Sequence, residues 1–199
     1  MKKNLYTIIF CILICTQIAC GQTQPKTTEQ SVQTKTTESK SQVKTEEIKT
    51  YTEQTKTDYP NLKTQADEMG VAFSANDFNK FVDFMHPKLV KMAGGKNKFI
   101  SSLDASMEQM KSAGFELISY EMGEPIQTIE VDNQIFSVVP TETVMKLPKK
   151  TVTEQGSILA VSEDKGANWK FVRVTSKESL KRLFPNAIDQ LTFPEKTIK

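Results

Sequence analysis

Cysteine stops early in this chain. Cys11, Cys15 and Cys20 are its three cysteines and none follows them. The folded part therefore has neither a disulfide framework nor a thiolate metal site. Histidine occurs once, at His86, tryptophan once, at Trp169, and arginine only at Arg173 and Arg182. No sign of charge dominates either, because 26 basic and 24 acidic residues leave a net +2. That surplus is confined to the first 57 residues, since residues 58–199 hold 18 basic and 19 acidic groups. A pI near 8.3 thus reflects the N-terminal third and not a basic face on a fold, which excludes nucleic-acid binding. Apolar runs are short as well. The longest, Leu5 to Cys15, is about half of the roughly 20 residues a membrane span needs.

That run follows Met1-Lys2-Lys3, a positive start, and has the proportions of a secretory signal peptide over residues 1–19. Gln17-Ile18-Ala19-Cys20 resembles a bacterial lipobox, in which the cysteine becomes the acylated N-terminus, although Gln17 stands where Leu is usual. Cleavage at a small-x-small site, Ala19-Cys20-Gly21, would instead leave Gln22 first and make a soluble secreted or periplasmic protein. Lipid attachment at Cys20 is the expectation, with the chain held at the cell envelope, facing the periplasm or the surface. The Thr/Gln/Lys/Glu-rich residues 20–57 agree with it. From Gly21 to Thr57 only Val32, Val43, Ile48 and Tyr51 are apolar, too few to offset the entropy of ordering the segment. A disordered tether of that length reaches about 35 Å on average.

The pattern changes at Asp58. Asp58 is placed to cap a helix with Pro60 in its first turn and Leu62, Ala66, Met69 and Phe73 on one face. Phe78, Phe81, Val82 and Met85 give a second helix, stopped at His86-Pro87. Lys88 to Ala93 reads as a short extended piece, and Gly94-Gly95 as a turn. Phe99, Ile100, Leu103, Met107 and Met110 mark a third helix closed by Gly114. Then the period falls to two, giving strands over 115–122, 126–131, 134–146, 153–162 and 168–174. Asp132-Asn133 and the Lys149-Lys150 region are the expected reversals, and Pro140 predicts a bulge or sharp bend. Thr175 and Glu178 suggest a capping box for a last helix, followed by an apolar tail to Phe193.

The expected architecture is α+β: a curved, cone-shaped antiparallel sheet packed on three N-terminal helices, plus a C-terminal helical extension. The order of helix, helix ending in His86-Pro87, short piece, Gly94-Gly95-Lys96, helix and meander resembles the nuclear transport factor 2-like superfamily. Its cone is shared with ketosteroid isomerase and polyketide cyclases. The resemblance covers about residues 65–175, rests on element order, and carries no single function.

If that cone holds a cavity, Phe78, Phe81, Met85 and His86 from the helices are expected to line it. Phe99, Met107, Tyr120, Trp169 and Phe171 join them, and the same residues could equally be core. The resemblance also implies an isomerase or dehydratase alternative using His86 or Asp83 within the cone. However, a helix C-terminus favours a cationic side chain there on structural grounds alone. Ser162, Asp164, Gly166 and Trp169 match S-x-D-x-G-x-x-W, the Asp-box turn of sialidase propellers. One copy and two arginines point to a structural hairpin, not to a sialidase. Adjacent carboxylates such as Asp67/Glu68 and Glu163/Asp164 point apart, no ligand spacing supports a metal, and no motif calls for a cofactor. Ile158 to Val161 is apolar at four successive positions, so both sheet faces need cover. The tail from Leu180 to Phe193 is the preferred cover and a second copy of the domain the alternative, so the chain is expected as a monomer or a homodimer through the sheet. The functional expectation is an envelope binding module without catalysis, for a small apolar ligand or a protein partner. The remaining alternative is a purely structural envelope protein.

Overall fold

Polypeptide geometry is described here for residues 59–199 of a computed structural model. The expected signal peptide, Cys20, the tether and Asp58 lie outside those residues. Helix α1 spans Pro60–Ser74, α2 Phe78–Phe84, α3 Pro87–Met92 and α4 Lys96–Ser112. Strands β1 (Glu116–Met122), β2 (Gln127–Val131), β3 (Gln134–Leu147), β4 (Lys150–Ser162) and β5 (Lys170–Arg173) follow. Helix α5 (Lys177–Leu183), a single 3-10 turn at Ile188–Gln190 and strand β6 (Thr197–Ile198) complete the described chain. The class is α+β, with a curled antiparallel half-barrel sheet and helices.

Four helices, not three, precede the sheet among the described residues. Lys88 to Ala93 is helical where an extended piece was expected. Pro87 stops α2 but is itself a good first residue, and His86 caps the new helix by accepting a hydrogen bond from Lys88 N–H at 3.2 Å. Tyr59 holds the N-cap position of α1 and makes no side-chain cap bond. The last helix is capped by Ser176, whose Oγ accepts from Ser179 N–H, so the start lies one residue beyond the expected Thr175.

Sheet order is β1-β3-β4-β5, with β2 continuing beside β3 beyond the end of β1 and β6 beside β4. Pro140 makes no bulge. The β3–β4 register runs unbroken from Ile135/Ser162 to Leu147/Lys150. On its other edge β3 changes partner from β2 to β1 at this point, and Pro140 O accepts from Gly123 N–H at 2.8 Å. The missing proline N–H therefore falls at the gap between two neighbours, where no acceptor needs it. The bulge lies instead in β1, between Leu117 and Ser119, and leaves Ile118 exposed.

The two faces of the sheet are covered by opposite ends of the described residues. Ile135, Val139, Ile158, Ala160, Trp169 and Phe171 pack against Leu62, Ala66 and Met69 of α1 and Phe81 and Val82 of α2. Phe136, Val138, Leu159, Val161 and Val172 pack against Leu180, Phe184, Ala187, Ile188 and Leu191. All four residues from Ile158 to Val161 are at most 2 % exposed, as a strand sandwiched between two layers requires. Gly70 lets α1 approach β1 closely, since a Cβ there would sit 3.0 Å from Tyr120 O.

Candidate functional site

The helix-facing side of the sheet is not apolar throughout. Register places Leu117, Met145 and Val152 in one row across β1, β3 and β4, and these join Met107, Met110 and Phe115 in a separate apolar cluster. The next row is Tyr120, Thr143 and Glu154, and the next Met122, Thr141 and Gly156. Beyond them Val139 and Ile158 lead to Arg173 on β5. The β1 bulge makes this possible, because it brings Leu117 and Tyr120 to one face although they are three residues apart.

A polar band thus lies between two apolar clusters. Helix α4 is anchored to both: Phe99, Ile100 and Leu103 meet the larger one, and Met107 and Met110 the smaller. Except for Met110 these apolar residues of α4 stay half-exposed, as do Tyr120, Thr141 and Gly156. A Cβ placed on Gly156 would meet only Thr141 Oγ1, at 3.5 Å, so the floor of the band is bare.

Glu154 is the charge at its centre, and it is 2 % exposed. A buried carboxylate needs partners to stay ionised. Arg173 Nη2 donates to Glu154 Oε1, and Lys196 Nζ lies 3.0 Å from Oε2 at an angle that makes an ion pair but no hydrogen bond. Lys196 arrives on the C-terminal strand, whose Thr197 and Ile198 pair with Gln155 and Glu154. Burial pushes the Tyr120 phenol above its ordinary pKa; Arg173 opposes that shift and Glu154 adds to it. The arrangement can bind: it offers a guanidinium held by a carboxylate, two threonine hydroxyls and an apolar wall.

Other candidates are placed differently. Phe78, Phe81, Met85, Trp169 and Phe171 are buried, with Trp169 and Phe171 packed deep in the larger cluster, while Phe99 and Tyr120 are half-buried beside the band. Asp83 and His86 do not converge. Asp83 is exposed and pairs with Lys96 at 2.5 Å. It lies on the rim of an open groove of about 540 Å³ together with Val82, Met85, Val90, Lys91 and Lys170. His86 is buried, meets Phe184 edge-to-face at 5.0 Å, and donates its backbone N–H to Phe171 O. Its ring lies at the start of α3, not at the end of a helix. Desolvation lowers its pKa, as do Lys88 and Lys170, while Glu163 works against the shift. With Nδ1 accepting from Lys88, the neutral ring carries its proton on Nε2.

The Asp-box residues form a closed turn. Ser162 Oγ donates to Asp164 Oδ1 and accepts from Gly166 N–H, and Asp164 accepts from the backbone and side chain of Asn168. Lys165 and Gly166 take positive φ, at 60° and 87°. Helix α1 holds the turn through Asn61 and Gln65, and Trp169 lies beneath it against Tyr59. Among the described residues no group of three acidic, histidine or cysteine side chains could hold a metal ion.

Glu154 and Arg173 escape a search by motif, but strand parity finds them. Glu154 shares its face with Val152, Ile158 and Ala160, and Arg173 shares one with Phe171. A charge on core parity is the signal. No family model, curated protein or solved structure matches the chain.

Proposed function

We propose that the protein is a lipid-anchored binding module of the cell envelope, whose folded part takes a small, largely apolar ligand on the sheet face beneath α4. The observation that carries the reading is the half-exposed Tyr120, Thr141 and Gly156 beside the buried Thr143 and Glu154 and the partly exposed Arg173 that pairs with Glu154. Nothing in core packing calls for a charge there, and Gly156 leaves the floor between two apolar clusters without a side chain. The leader, Cys20 and the polar tract that follows support the anchor, because three acyl chains hold a protein to a bilayer where one does not. The cone of the nuclear transport factor 2-like superfamily is the fold proposed for it, on the strength of the helix order and the curled sheet. Catalysis by His86 and Asp83 has less support, since the one is buried as a helix cap and the other is exposed and ion-paired.

Native mass spectrometry of protein extracted gently from membranes tests both parts. The expected species begins at an acylated Cys20 and retains a small molecule that is lost on denaturation. An N-terminus at Gln22 contradicts the anchor, and a bare polypeptide mass under native conditions contradicts the ligand.

A further inference from the structure

We propose that the ligand under α4 is an anionic amphiphile, a carboxylate carried on an apolar body. The inference rests on the binding reading above and adds the chemistry of the guest. Two cations, Arg173 and Lys196, flank one anion, Glu154, while the register turns Glu121 and Glu142 to the opposite face. The band therefore carries spare positive charge. Arg173 spends one nitrogen, Nη2, on Glu154, and among the described residues its other N–H groups donate to nothing. Its side chain is 27 % exposed, so those donors are reachable. A guanidinium fixed at one corner by a carboxylate presents its remaining donors in a set plane, which suits a second carboxylate. Beside it the Gly156 floor is open, and the Thr141 hydroxyl is within reach of a guest seated there. The half-exposed Leu103 and Met107 of α4 supply an apolar wall for the rest of the molecule. A neutral oxygen on a guest would accept from the free Arg173 donors only by the weaker, uncharged kind of hydrogen bond, and a cationic guest would meet two like charges.

Calorimetric titration of the full chain with decanoate, decanol and decyltrimethylammonium, each below its micellar concentration, tests this. Decanoate is expected to bind at least tenfold more tightly than decanol, and the ammonium probe not at all. Arg173→Gln should abolish the preference, so that decanoate binds no more tightly than decanol. Arg173→Lys, which keeps the charge beside Glu154, should retain part of the preference even if the glutamine variant melts early. Equal binding of decanoate and decanol, or a preference untouched by either substitution, overturns the anion while leaving the binding reading intact. Binding of none of the three probes overturns both.

Discussion

Glu154 and Asp164 are both carboxylates, one buried in the sheet and one at the surface. Glu154 is sealed in the sheet and ion-paired with Arg173 and Lys196. Glu154→Gln keeps the shape but leaves Arg173 without its counter-charge. Because that guanidinium still touches water, the loss should be about 2 kcal/mol, below the ~3–5 kcal/mol of a fully buried pair. Urea unfolding would measure it, and a variant as stable as the parent would show that the pair contributes nothing net. Asp164 lies at the surface, and the hydrogen bonds from Asn168 and then Ser162 lower its pKa to about 2. An unfolded Asp titrates near 4, so this stabilisation is complete above about pH 4 and disappears as the pH falls towards 2. The parent should therefore lose melting temperature faster than Asp164→Ala across that interval. Parallel melting curves for the two proteins would contradict the assignment.

At the scale of elements, the alternating strands were legible because their period of two survives the curl of the sheet. So were the two-residue turn at Asp132-Asn133, the Gly114 helix stop and the need for cover on both faces at Ile158 to Val161. Helix α3 was not, for its six residues are too few to show a period and Pro87 reads equally as a stop or a start. His86 was misread with it: a ring expected at the end of one helix sits at the start of the next, buried, and that burial is the main cause of its lowered pKa. The polar band was hidden by the β1 bulge, which no composition rule announces and without which Tyr120 would face away from Leu117. Asp132 and Asn133 both adopt positive φ, at 53° and 60°, as a two-residue hairpin turn demands. Asn133→Gly should therefore stabilise the protein by about 0.5 kcal/mol in thermal melts, since glycine takes that conformation without strain. A destabilised variant would mean that the Asn133 side chain holds the turn.

At the scale of the whole fold, the two ends of the described residues finish one sheet. The N-terminal helices of the described residues cover one face, and the tail from Leu180 to Leu191 seals the other. Deleting residues 176–199 would uncover Phe136, Val138, Leu159, Val161 and Val172 together, a larger apolar patch than a soluble monomer tolerates. It would also remove Lys196 from Glu154. The truncated protein should self-associate in sedimentation velocity while the parent stays monomeric; a stable truncated monomer would refute the role given to the tail. The helix-covered face differs because α4 is held at its two ends and leaves the polar band open between them. The most direct test of that claim is the melting temperature of Gly156→Leu. A side chain placed on an open floor should leave it unchanged or raise it, since leucine favours a strand over glycine. A fall equivalent to about 3 kcal/mol, the penalty of overpacking a filled core, would contradict the open band.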